Sequence, residues 1–360
     1  MPCPPKATAH IEAMSAFALA NFGGYDRPTL AQNESAFPPS PRAIEAGRDA
    51  VARSHLYPDP DWTLLREAIA KTYGVERDLV LCGAGSMELI ACTIAAFAGP
   101  GAEVLATSYA YNFAASAAAR VGATYVKAQE RGFEVSVNAI LAALTPATRI
   151  VFVCNPGNPT GTRIKNAELL RLRAALPGDV LLMIDQAYGE FDDQDPQAVF
   201  ALAGRGDTVV LRSLSKAYGL AGARIGWGLF APQIAAEVRK MQNSNQVSTV
   251  SLAMAVAAVE DQAYTRAIVA RTSDIRDCFA QGLRAAGYEV PESRTNFVLV
   301  RFADTAAAAA ADNALRGADI IVRGLSGYGL TDCLRITIGP QDIMDRTLRA
   351  LTALRGRQCW

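Results

Sequence analysis

Ser213-Leu214-Ser215-Lys216, with Arg224 eight residues further on, brings a primary amine, two hydroxyls and a guanidinium into one short stretch. An amine that is desolvated or lies near positive charge attacks carbonyl carbon. A guanidinium presents a planar fork of donors that matches phosphate oxygens. A phosphorylated aldehyde such as pyridoxal phosphate would use the whole set. Read alone the tetrapeptide is a weak signal, because most lysines are simply solvated. Its weight depends on what precedes it.

In open α/β sheets ligands bind beyond the carboxyl ends of the strands, so the polar residues that follow each apolar run come next. Gly83-Ala84-Gly85-Ser86-Met87-Glu88 follows one run and opens a helix. It resembles a dinucleotide loop, with Glu103 as the acid some way on, but Glu88 stands where a third small residue should allow close packing. A loop entering a helix also holds a single phosphate on its free N–H groups; a plain strand-to-helix turn is the bland alternative. Cys154-Asn155-Pro156-Gly157-Asn158-Pro159-Thr160-Gly161 follows a second run, and its doubled Asn-Pro fixes a rigid turn from which Asn158 can aim an amide. Asp185 ends a third run, with Tyr188 three residues later. A carboxylate beside a pyridine nitrogen favours the protonated ring, and that ring is an electron sink. Helix capping would explain Asp185 alone but not the pair.

The elements that must position these groups alternate. Residues 60–230 switch between short apolar runs and helical patterns, the mark of a mostly parallel α/β sheet. Thr63 to Tyr73 reads as a helix with Leu64, Leu65, Ala68, Ile69 and Tyr73 on one face. Runs at 79–82, 103–106, 150–153, 181–184 and 208–211 read as strands buried on both sides, and Ser86 to Ala98 as an apolar helix. Beyond residue 250, helices around 248–285 lead to strands at 296–301 and 333–338 with an alanine-rich helix between them; the alternation in Cys333 to Ile338 suggests a half-exposed strand. The expected division is an arm over 1–45 packing on the smaller domain, a large domain over 46–250 and a small C-terminal domain over 251–360.

At 360 residues the chain exceeds one core, which suits two domains. It carries 35 basic and 35 acidic residues, so no charge excess points to nucleic acid or anionic lipid. With two histidines a zinc site is not expected. The seven cysteines (Cys3, Cys82, Cys92, Cys154, Cys278, Cys333 and Cys359) form no CxxC and read as reduced and buried. Neither a signal pattern nor an apolar run of membrane-spanning length is present, and a cytoplasmic protein is expected.

Taken together, these motifs resemble those of the fold-type I pyridoxal-phosphate-dependent aminotransferases of class I/II, and are most similar to those of the histidinol-phosphate aminotransferases among them. Tyr57-Pro58-Asp59-Pro60, the 83–88 loop, 155–161, Asp185 to Tyr188, 213–216, Arg224, Tyr328-Gly329-Leu330 and Cys333-Leu334-Arg335 carry the likeness in family order. It implies a large domain on a mostly parallel seven-stranded sheet flanked by helices, with a smaller α/β C-terminal domain. It further implies that Lys216 forms the internal aldimine, and that Gly85, Ser86, Met87, Ser213, Ser215 and Arg224 hold the phosphate. Asp185 would pair with the ring nitrogen, and Asn158 and Tyr188 with the ring oxygen. Tyr111 would stack on the ring, with Tyr109 as near competitor. Tyr57 would reach the cofactor of the partner in a homodimer, and Arg335, assisted by Arg323, would hold the acidic group of the substrate.

Three departures from the family accompany the likeness. Met87 replaces a common Asp, Ala9-His10-Ile11-Glu12-Ala13-Met14 replaces a Pro-Tyr-x-Pro-Gly element, and Asn243-Ser244-Asn245-Gln246-Val247 replaces a Pro-containing stretch. The implied reaction is ping-pong amino transfer in amino-acid biosynthesis, from histidinol phosphate or an aromatic or other amino acid to a 2-oxo acid such as 2-oxoglutarate. A lyase of the threonine-phosphate decarboxylase type would need the same cofactor residues. A PLP-binding regulator would need a DNA-binding extension that is not visible here, and a nicotinamide dehydrogenase leaves Lys216 and Asp185 unexplained.

Overall fold

The computed structural model describes residues 5–14 and 29–357. Seven strands form the larger sheet: β2 (Val80–Gly83), β3 (Glu103–Thr107), β4 (Thr124–Ala128), β5 (Thr148–Cys154), β6 (Leu181–Asp185), β7 (Thr208–Ser213) and β8 (Gly226–Leu229). Their order is β2-β8-β7-β6-β5-β3-β4, and only β8 runs against its neighbours. The apolar runs are strands because both faces are covered: Leu105, Phe152, Ile184 and Val210 are all buried without solvent contact. From β5 the chain proceeds through β6 and β7 on one side, whereas β3 and β4 lie on the other. The crevice between β3 and β5 is therefore a topological switch point.

The smaller sheet has the order β1-β10-β11-β9, made of β1 (Thr29–Leu30), β9 (Phe297–Arg301), β10 (Ile321–Leu325) and β11 (Leu330–Thr337). It has its own apolar core, with Leu30, Phe279, Val298, Leu315 and Ile336. β1, from the N-terminal region, pairs in parallel with β10. The helix Thr249–Glu260 packs with the larger sheet's core through Ala255, Ala258 and Val259. No described helix is long and apolar enough to cross a membrane.

Three expectations need correction. Leu64 does not share the buried face of its helix: Leu65, Ala68 and Ile69 are inside, and Leu64 is 67% exposed. Over 333–338 β11 is not half-exposed: Arg335 is buried against Asn158 and Thr337 against Asn33 instead of meeting water. Cys278 is exposed, although Cys82, Cys92, Cys154 and Cys333 are buried and free. Cys3 and Cys359 lie outside the described residues. β4 and β8 carried no reading as strands.

Candidate active site

Segments that follow β3, β5, β6 and β7 line a cavity of about 500 Å³, closed on its other side by Arg323 of β10, Arg335 of β11 and residues 31–33 after β1. Lys216 reaches it from a loop folded tightly back on itself. Leu214 N–H donates to Ile225 O, Leu220 N–H to Leu214 O, and Ser215 N–H to Ser213 Oγ. Lys216 Nζ donates to the Gln32 carbonyl at 3.4 Å. Burial pulls the amine down to about 8, with repulsion from Arg335 and Arg224 in the same direction and Glu34 and Asp185 opposing. About a tenth of the amine is then neutral at pH 7, far more than for a solvated lysine, which makes it a competent nucleophile.

Asp185 ends β6 deep in the cavity. Burial pushes its carboxyl up to about 6, against the Ala187 N–H and the charge of Lys216. Asn155 is taken up by structure, its amide exchanging two hydrogen bonds with Ile164, which leaves Asn158 as the amide facing the cavity. Arg335 Nη1 donates to Asn158 Oδ1 at 2.7 Å, so the NH2 of Asn158 is turned away from the guanidinium and remains a donor. Tyr188 lines the same cavity with its ring edge-on to Phe297. Tyr111 also lines it, whereas Tyr109 turns away onto Phe133.

At the far end Ser86, Met87, Ser213, Ser215 and Arg224 converge. A Cβ on Gly226 would come within 2.2 Å of Ser86 N, so β8 runs directly beneath the start of the helix Ser86–Phe97. Gly85 has φ +83°, and a Cβ there would lie 2.7 Å from Arg224 Nη2. Free helix N–H groups, two hydroxyls and a guanidinium thus share one corner, the donor set a phosphate dianion requires. Glu88 is no part of it: its carboxylate accepts from Ala84 N–H and Gln242. Glu103 begins β3, at the opposite end of the strand from the cavity, where Thr145 and Thr148 donate to it, which removes the dinucleotide reading.

On the side closed by the smaller sheet, Arg335 donates to Ala31 O, and its buried Nε has no partner among the described residues. Arg323 is its register partner across β10 and β11. Like charges in that relation repel, and an anion bound between them would remove the repulsion. Tyr57 is not in the cavity; it is 87% exposed. Ala9–Glu12 is a short exposed helix near the helix Phe113–Arg120, and none of 9–14 lines the cavity.

Several lining residues had no assigned role, among them Gln32, Asn33, Asn112 and Tyr328. The polar run Gln32-Asn33-Glu34 follows an apolar pair, but a two-residue strand leaves no periodicity to detect. Asn112 donates from Nδ2 to Gly327 O at 2.9 Å and so joins the segment after β3 to the turn between β10 and β11.

Comparison with known proteins agrees with this geometry. The family model described as aminotransferase class I and II matches residues 28–351. A histidinol-phosphate aminotransferase from Jannaschia sp. is 42% identical over 92% of this chain and 92% of its own. One from Paramagnetospirillum magneticum is 41% identical over 91% of each. The solved histidinol-phosphate aminotransferase of Sinorhizobium meliloti, in complex with pyridoxal 5'-phosphate, superposes with a TM-score of 0.91 at 26% identity, covering 99% of both chains. By fold, by the contents of the cavity and by sequence, the chain belongs to the class I and II aminotransferases.

Proposed function

We propose that the chain transfers an amino group from histidinol phosphate to a 2-oxo acid, with pyridoxal phosphate as cofactor. The observation that carries this reading is the single cavity in which an amine lowered to about 8, a carboxyl raised to about 6, two ring-oxygen donors and an arginine pair face one another. When bound, the cofactor supplies an aldehyde for the amine and a ring that accepts the negative charge developed on substrate carbon.

Ser213, Ser215, Arg224 and the N–H groups of Gly85, Ser86 and Met87 hold the phosphate. Met87 contributes backbone only. Asp185 meets the ring nitrogen, Asn158 and Tyr188 donate to the ring oxygen, and Tyr111 covers the ring face. Lys216 Nζ would carry the cofactor through its aldehyde carbon and, as a free amine, would take and return the substrate's α-proton as general base and acid. Arg335 and Arg323 take the acidic group of each substrate in turn; a fork built for a carboxylate also fits a phosphate. The names of the similar proteins favour histidinol phosphate as donor. We also place the enzyme in the cytoplasm as a homodimer, with Tyr57 reaching the partner's cofactor. Exposed Val51, Leu56, Tyr57 and Leu64 along one segment support a covered face there.

Adding histidinol phosphate to the yellow holoenzyme should bleach its visible band, and 2-oxoglutarate should restore it with glutamate formed. Borohydride should fix the cofactor to Lys216, located by peptide mass. If histidinol phosphate leaves the band unchanged while threonine phosphate loses carbon dioxide, the decarboxylase reading is favoured instead, and an adduct on another lysine would overturn the assignment.

A further inference from the structure

Asn33 has a backbone that few residues tolerate (φ +55°) and a side chain buried to within 1%. Four hydrogen bonds account for its placement. Its N–H donates to Thr337 Oγ1 at 3.0 Å, and Thr337 Oγ1 donates to Asn33 Oδ1 at 3.1 Å. Its carbonyl accepts from Asn296 Nδ2 at 3.1 Å. Its own Nδ2 donates to Tyr188 Oη at 2.7 Å. Because the Thr337 hydroxyl already accepts the Asn33 N–H, its proton goes to Oδ1. That leaves the NH2 of Asn33 facing Tyr188.

We propose that Asn33 is a positioning residue that sets the direction of the Tyr188 hydroxyl. An amide NH2 only donates, so it occupies a lone pair of the phenol oxygen and drives the phenol proton into the cavity. Burial keeps that proton on, since it moves the phenol well above its ordinary range. The ring-oxygen contact is thereby coupled to β1 and β11 of the smaller sheet, through Asn33 and Thr337. This inference rests on the reading above that Tyr188 donates to the cofactor's ring oxygen.

The test is the pH at which the visible band of bound pyridoxal phosphate changes. A donor on the ring oxygen draws charge from it; without that donor the oxygen is more basic and holds the neighbouring proton to higher pH. Tyr188→Phe should therefore move the titration up by about one unit. Asn33→Asp keeps the size and the positive φ but only accepts, so the phenol proton turns toward it. It should shift the titration in the same direction and to a similar extent. Asn33→Gly keeps the backbone bonds and the φ, loses the amide, and should give a smaller upward shift if Asn33→Asp does not fold. Asn33→Gly should add nothing to Tyr188→Phe, and any Asn33→Asp shift that persists in that background is the effect of its charge. If Tyr188→Phe shifts the titration and Asn33→Gly titrates as wild type, Asn33 is a structural tie only and the proposal is overturned. If Tyr188→Phe itself has no effect, the role of Tyr188 fails first and the proposal falls with it.

Discussion

Asp185 lies where its charge is poorly solvated, at the end of a buried strand with one N–H and one amine nearby. Its carboxyl stands near 6 in the folded chain against 3.8 when solvated. Between those values the folded state binds more protons than the unfolded one, so stability falls as pH rises through the window. Lys216, near 8 against 10.5, has the complementary sign: the folded chain binds fewer protons between those values, and stability climbs with pH across them. Asp185→Asn should accordingly stabilise the cofactor-free protein above pH 6, by up to about 3 kcal/mol, with no gain below pH 4. The same change should cut turnover at least about a hundredfold by leaving the ring nitrogen without its counter-charge. Urea unfolding at both pH values and single-turnover kinetics check the two parts. An apoprotein weaker than wild type at pH 7.5 would mean that Asp185 is held by an ordinary stabilising ion pair. This residue was legible from sequence because it directly follows an apolar run. Asn33 was not, because the strand before it is two residues long and its partners are 155 and 304 positions away.

The glycine at the start of β8 sets the distance between the phosphate corner and the sheet. Gly226 is the register partner of both Gly83 and Ser213, and the helix that opens at Ser86 sits on it. Gly226→Ala must push Ser86 N outward, since a Cβ fits there only at 2.2 Å. The expected cost is about 1–3 kcal/mol of stability, with cofactor affinity lowered at least about tenfold. Thermal melting and equilibrium dialysis of the cofactor measure them. Unchanged affinity would show that this corner does not hold the phosphate. Gly226-Trp227-Gly228-Leu229 was missed as a strand because two glycines remove the β-branched signal that identifies one. β11 shows the converse limit. Its alternation correctly separated an apolar from a polar face, but a pattern cannot tell whether water or a binding site covers the polar side. Arg335 and Thr337 lie on that side and are buried.

How the parts divide and pair decides whether the site is complete in one chain. β1 joins the smaller sheet, and the helix Thr249–Glu260 packs in the larger core, so we propose that the large unit extends to about residue 260, beyond the boundary at 250 that the change in pattern suggested. Tyr57 is exposed to solvent, as are Val51, Leu56 and Leu64. Leu64 was read as core because helical periodicity groups neighbouring apolar positions without showing how wide a face the fold covers. If Tyr57 completes the partner's site, chains that are individually impaired should complement each other. Lys216→Ala and Tyr57→Ala proteins, unfolded and refolded together in equal amounts, should form mixed dimers as half of the population. Each mixed dimer would pair an intact Lys216 with an intact Tyr57 at one of its two sites, returning about a quarter of wild-type activity. If Tyr57 serves its own subunit, no complete site arises and the mixture stays as impaired as its components. Introducing Leu64→Glu into both chains should abolish the recovery by preventing pairing, and sedimentation would then find monomers.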